Sequence, residues 1–169
     1  MKVKDLMTAD KLKVCTPETK VANAAKIMKD NNKGALPVVD KEQKVVGILT
    51  DRDLALSFAK KVNKTASEIS VKEVLPKVKV RSVKAEDEIS DVLREMRKNK
   101  IGRLPVVDDE GKLKGIISVN NILSRAVNRN EAIGQLNSKD ENLAKTIKAL
   151  FDRNSVSVPS EKGEALEAE

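Results

Sequence analysis

The chain contains no histidine, no tryptophan and no tyrosine, and only two phenylalanines and one cysteine among its 169 residues. Each absence removes a class of chemistry. Without histidine there is no His-based catalytic triad and no His metal site. The lone thiol, Cys15, has no partner for an internal disulfide, and a cytoplasmic setting is the simplest expectation. Two phenylalanines offer little platform on which nucleic-acid bases can stack. No apolar run approaches the roughly 20 residues of a membrane-spanning helix, so no membrane association is expected. The opening segment, MKVKDLMTAD, lacks the apolar core of a secretory leader. Cys15 sits within LKVCTP, a setting that suits a small core residue better than a nucleophile. With no paired base and nucleophile, no metal cluster and no P-loop, catalysis is not expected.

What is present fits a soluble globular protein, with 40% hydrophobic and 35% charged residues. The net charge of +7 lies in the first three quarters of the chain, and the residues from 126 onward are net negative. Such an excess suits an anionic small molecule, nucleic acid, or merely a solvated lysine-rich surface.

The most informative feature is a repeat. LPVVD occupies 36–40 and returns at 104–108, a displacement of 68 residues. At the same displacement Met28 falls on Met96, Asn31 on Asn99, Gly34 on Gly102, and Gly47-Ile48 on Gly115-Ile116. A period this long, present twice, marks duplication of a supersecondary unit. Each copy opens with a short turn or helix, VKDLM or VKEVL, followed by a short strand expected near 12–15 and 78–80. An amphipathic helix comes next, carried by Val21, Ala24, Ala25 and Met28 in one copy and Ile89, Val92, Leu93 and Met96 in the other. Thr19 and Asp87 are its expected N-caps. Gly34 and Gly102 serve either the helix end or the turn that follows.

ALPVVD and RLPVVD then read as strands, with Pro37 and Pro105 expected at a strand start or an edge. VVGILT and LKGIIS complete a hairpin. A second helix follows at once, with Leu54, Phe58 and Val62 on one face, matched by Ile122, Leu123 and Ala126. The unit is β-α-β-β-α, an α/β (α+β) class. One such unit is too small to bury a good core, whereas two packed together share one. The expected division is repeat 1 over 1–59, a polar linker over 60–70, repeat 2 over 71–127, a C-terminal helical extension over 128–154 and a flexible tail over 155–169. Within the extension, Ser138 and Glu141 form a capping-box pattern, and Leu143, Ile147, Leu150 and Phe151 share a helix face. That helix is expected to pack on the module or at a dimer interface, with partner binding as the alternative.

Both copies carry G-x-h-P-V-V-D followed by G-h-h-T/S-x-x-D/N, where h is apolar. In this the chain resembles the tandem cystathionine-β-synthase (CBS) domain pair, or Bateman module, over roughly residues 1–127, as found in stand-alone CBS proteins. The resemblance implies two repeats packed as a pseudo-twofold pair, a cleft between them that binds an adenosine-containing ligand, and frequent homodimerisation. It also implies regulation, such as energy sensing, rather than chemistry. AMP, ADP or ATP is the expected ligand, with S-adenosylmethionine or NAD as alternatives, and an unidentified protein partner would read the conformational or dimer change. Nucleic-acid binding and a purely structural dimerising role without a small ligand remain the competing readings.

The family pattern puts Asp53 on the ribose and Thr50 near the phosphate, with Arg52 nearby to meet phosphate charge. Read locally, Thr50 is the N-cap and Asp53 the third position of an ordinary capped helix. The two readings are compatible, because a helix N-terminus also favours phosphate. In the second copy Ser118 and Asn121 occupy these places, and the amide lacks the charge that strengthens a hydrogen bond. A weaker or empty second site is expected. By the same resemblance Gly34, Ala35 and Pro37, with Gly102, Arg103 and Pro105, line the adenine pocket, Arg103 adding a phosphate contact. Thr16 and Ser82 are lesser candidates, since such hydroxyls often bond to local backbone.

Overall fold

The computed structural model describes residues 1–60, 63–128 and 145–146. Each repeat is built on an antiparallel hairpin. Strand β1 (Ala35–Val39) pairs with β2 (Val45–Thr50), Ala35 opposite Thr50. Strand β3 (Arg103–Val107) pairs with β4 (Leu113–Ser118), Arg103 opposite Ser118. The register irregularity between Val38 and Val39 recurs between Val106 and Val107. Four of the five left-handed backbone positions repeat, Asn32 with Lys100 and Gln43 with Gly111, and Lys11 alone has no left-handed counterpart among the described residues. The duplication therefore extends to conformation.

Helices α1 (Val21–Asp30) and α2 (Asp51–Lys60) accompany the first hairpin, and α4 (Ile89–Asn99) and α5 (Val119–Asn128) the second. α1 buries Val21, Ala24 and Met28, and α4 buries Ile89, Val92, Leu93 and Met96, the stripe that helical periodicity requires. Ala25 stays exposed. The residues at the N-caps are Lys20 and Glu88, not Thr19 and Asp87. Thr19 and Asp87 instead accept from the backbone N–H groups of Thr16 and Lys84, at 2.9 and 2.8 Å, closing the turn ahead of each helix. Gly34 and Gly102 are likewise not the left-handed residues after the helices. Their carbonyls accept the first N–H of the following helices, from Asp51 at 3.2 Å and Val119 at 3.0 Å.

The leading strand of each repeat contracts to one bridging residue, Cys15 against Val38 and Val83 against Val106, so no strand forms at 78–80. Proline is the reason. Cys15 donates to the Pro37 carbonyl at 3.0 Å and accepts from Val39 N–H at 2.9 Å. The next rung of this parallel ladder would need an N–H on Pro37, which has none. Pro105 ends the Val83 ladder in the same way. The prolines thus sit mid-strand, buried, with their missing donors on the side where the ladder stops.

Short leading segments are exchanged between the repeats. A 3-10 helix, Val3–Asp5, buries Val3 in the core of the second repeat, beside Leu6, Val92 and Ile117. Conversely α3 (Val71–Val74) buries Val71 in the first repeat's core, beside Val21, Leu36 and Leu49. The backbone seals both exchanges: Val3 N–H donates to Asp87 at 3.0 Å, and Val71 N–H to Thr19 at 2.8 Å. Ile69 is fully buried beside Val71, so the segment 60–70 is not simply a polar linker. At the opposite end the hairpin turns cross-link, Val45 donating to Gly111 and Leu113 to Gln43, each at 3.1 Å. Along α2, Leu54 is buried but Phe58 is 48% exposed, so Phe58 does not share the core-facing side. Val62, the helix expected around 138–151 and the tail 155–169 lie outside the described residues, apart from Lys145 and Thr146. The Thr146 hydroxyl is buried and donates to the Leu93 carbonyl of α4 at 3.1 Å.

Candidate ligand-binding cleft

Local sequence sets the first wall of the site. Thr50 ends β2 and caps α2. Its backbone N–H and its Oγ1 both donate to Asp53 Oδ2, at 2.9 and 2.6 Å, and Asp53 N–H donates back to Thr50 Oγ1 at 3.2 Å. The expected local geometry is present, and it commits one carboxylate oxygen, Oδ2, to the helix cap. Both residues are half-buried at the edge of a cavity of about 1300 Å³.

The second wall comes from the other repeat. Residues 78–82, the end of α4 and Gly102–Leu104 face Gly34, Thr50, Arg52 and Asp53 across this cavity. The segment after α3 reaches it because α3 itself is anchored in the first repeat's core. Arg81 crosses to α4, where its guanidinium donates to Glu95 Oε1 at 2.6 Å. Asn99 Nδ2 donates to the same oxygen at 2.9 Å. Arg52, Lys79, Arg81 and Arg103 line the cavity, with Asp51, Asp53 and Glu95 as the acidic groups.

Of the residues singled out from sequence, Thr50, Asp53, Arg52, Gly34, Ser82, Gly102 and Arg103 come together here. Ala35, Pro37 and Pro105 do not line the cavity, because they are buried within their strands. Thr16 is also absent from it, and its side chain instead meets the Thr19 hydroxyl at 3.2 Å. Sequence reasoning missed Leu75, Pro76, Lys79, Arg81, Glu95 and Asn99. Glu95 did carry a signal, because its counterpart 68 residues earlier is the apolar Ile27, whereas Arg81 stands for the basic Lys13.

Ser118 and Asn121 reproduce the cap on α5: Ser118 N–H and Oγ donate to Asn121 Oδ1. They do not line the cavity. Asn121 Nδ2 donates to Thr8 Oγ1 at 3.1 Å, and Thr8 exchanges backbone hydrogen bonds with Ile116, both at 2.9 Å. The segment 7–8 therefore lies directly on β4, so close that a Cβ on Gly115 would stand 2.9 Å from the Thr8 carbonyl. In the first repeat the place of Thr8 is taken by Pro76, which has neither an N–H nor a hydroxyl, and no such bridge forms among the described residues. The two pseudo-equivalent sites thus differ: the Asn121 cap is hydrogen-bonded to Thr8, whereas the Asp53 cap has no such bridge among the described residues and lines the cavity. Cys15 takes no part in either. Burial pushes its thiol up to about 11, which keeps it protonated at neutral pH.

Residues 3–60 and 71–128 each match the CBS domain. The chain belongs to the CBS domain family. As a CBS pair it is 41% identical over 138 residues to the uncharacterised protein YlbB of Bacillus subtilis, covering 79% of this chain and 86% of YlbB. It is also 39% identical over 109 residues to inosine-5'-monophosphate dehydrogenase of Aquifex aeolicus, 64% of this chain but only 21% of that enzyme. Among solved structures, the CBS domain pair of protein MJ0100 in complex with 5'-methylthioadenosine and S-adenosyl-L-methionine superposes with a TM-score of 0.65 at 27% identity, over 76% of this chain and 98% of that one. CBSX2 in complex with AMP gives a TM-score of 0.65 at 30% identity, over 76% and 97% of the two chains. The mixed α+β architecture, with one hairpin and its helices per repeat, is that of a CBS pair. No helix among the described residues is long and apolar enough to cross a membrane.

Proposed function

We propose that this CBS pair is a non-catalytic regulatory module that binds one adenosine-containing ligand, AMP, ADP or ATP foremost, in the cleft beside Asp53. The observation that carries the reading is the junction itself. An open cavity of about 1300 Å³ brings the capped N-terminus of α2 opposite Gly102–Leu104 of the other repeat. The Asp53 carboxylate oxygen that is not committed to the cap suits ribose hydroxyls, the helix N-terminus suits a phosphate, and Arg52, Lys79 and Arg103 add positive charge. The adenosine compounds bound by the MJ0100 pair and by CBSX2 support this ligand class.

A ligand that touches both repeats acts on their relative disposition, and through it on a homodimer or on a protein partner in the cytoplasm. It shifts that equilibrium only by its difference in affinity between the two arrangements. Calorimetry with adenosine, AMP, ATP, S-adenosylmethionine and NAD tests the proposal. One tightly bound ligand per chain is expected, because Asn121 lacks the carboxylate charge of Asp53 and its amide is already bonded to Thr8. Absence of binding by every compound at millimolar concentration overturns the reading and leaves a folded scaffold.

A further inference from the structure

The cleft holds a charge pair that the duplication does not explain. Arg81 and Glu95 both line the cavity and are joined along its second wall, from the segment after α3 to α4. The corresponding residues of the first repeat, Lys13 and Ile27, have no such pairing to make. The pair is only partly shielded, with side chains 52% and 33% exposed. A pair so open to water is held weakly. Arg81 uses one nitrogen of its fork on Glu95, leaving other N–H groups for an anion. If Arg81 turns away, the Glu95 carboxylate loses its counter-charge but keeps the Asn99 amide N–H and its partial contact with water. Asp51 and Asp53 are the other acidic groups of the cavity, and Asp53 has one oxygen already committed to Thr50.

We propose that Arg81 and Glu95 form a charge selector within the cleft: the phosphorylated tail of an adenosine ligand exchanges with Glu95 for Arg81, so the cleft favours anionic adenosine compounds over neutral or cationic ones. The selector rests on the nucleoside-binding reading above and adds to it a specific competitor for the phosphate. Phosphate gains charge-assisted, geometrically matched hydrogen bonds from the guanidinium. Adenosine and 5'-methylthioadenosine have no anionic group to offer, and the sulfonium of S-adenosylmethionine has the wrong sign near Arg81.

The test measures adenosine and ATP affinity by calorimetry for the full chain, Arg81→Gln, Glu95→Gln and the double variant, each first checked for an unchanged melting transition. Arg81→Gln is expected to weaken ATP about tenfold and to leave adenosine unchanged. Glu95→Gln is expected to tighten ATP about two- to fivefold, the size of an exposed ion pair, again without effect on adenosine. In the double variant the gain from Glu95→Gln vanishes, since its competitor role needs Arg81. A gain that persists without Arg81 overturns the selector, because Glu95 then acts by simple repulsion. An ATP-to-adenosine preference unchanged in Arg81→Gln overturns it too. If adenosine binds the wild-type chain while the preference ignores both residues, the selector alone falls. If adenosine and ATP both fail to bind, the nucleoside reading falls and takes the selector with it.

Discussion

Asp53 carries two jobs that substitution can separate. Its Oδ2 accepts from Thr50 N–H at 2.9 Å and Thr50 Oγ1 at 2.6 Å, which caps α2. In the proposed complex the carboxylate also accepts from ribose. Asp53→Ala removes both. Loss of this half of the capping box costs about 0.5–1.5 kcal/mol of stability, since Thr50 Oγ1 still accepts from the N–H of residue 53. Loss of a charged acceptor for ribose costs about 1.5–3 kcal/mol, roughly a tenfold to hundredfold rise in Kd. Asp53→Asn separates the terms, and the second repeat is the internal control. There the Asn121 amide oxygen receives the same two hydrogen bonds from Ser118. Asp53→Asn therefore keeps the hydrogen bonds of the cap and loses only the favourable charge at the helix start, about 0.3–1 kcal/mol, while its AMP affinity falls between wild type and Ala. Urea unfolding and AMP calorimetry on the same preparations read the two quantities. If both variants bind AMP as wild type does while Asp53→Ala loses stability, the carboxylate is a cap and nothing more.

The glycines of the paired strands give a second contrast. Gly115→Ala forces a methyl against the Thr8 carbonyl at 2.9 Å, whereas Gly47→Ala meets only the end of the Leu75 side chain. The first is expected to cost about 1–3 kcal/mol and the second less, by urea melts; equal costs would contradict the close seating of the arm on β4. Ile69→Ala empties a fully buried position and is expected to cost about 2–5 kcal/mol, against less than about 0.5 kcal/mol for exposed Ser67→Ala. A negligible loss at Ile69 would return this segment to the status of a linker. The N-terminal arm also has a pH signature. Hydrogen bonds from Lys4 and then Lys2 hold the exposed Glu86 carboxyl down at about 2, from an ordinary 4.5. A lowered acid stabilises the fold above its unfolded value and loses that contribution as pH falls through the folded one. The stability difference between wild type and Glu86→Gln should be constant above about pH 5, shrink below pH 4.5 and vanish near pH 2. It should also weaken in high salt, because both partners face solvent. A difference that survives at pH 2 would deny the pairing.

Much of this molecule was legible in the amino-acid order because the responsible interactions are short-range. Helical periodicity places Val92, Leu93 and Met96 on one face wherever the helix ends up. The Thr50–Asp53 cap closes over three residues, and its twin at Ser118–Asn121 follows from the repeat. Duplication showed that two like units had to share a fold. The failures have an equally physical source. Pro37 reads as a strand edge until a parallel neighbour is placed beside it, and only then does its missing N–H explain why the first strand stops at Cys15. Ala35, Pro37 and Pro105 lie close to the site in sequence but turn into the core with their strands.

The exchange of leading segments is decided by tertiary structure alone. Val3 and Val71 are equivalent apolar residues, and nothing local says which of two similar cores each will enter. That choice carries 78–82 across to face Asp53 and lays Thr8 on β4 beside Asn121. The order of residues supplied Thr8 in one copy and Pro76 in the other. The fold turned that difference into a cap bridged to the arm and a cap without that bridge, because a backbone donor and a hydroxyl can bridge to a neighbouring strand and its cap, and proline has neither.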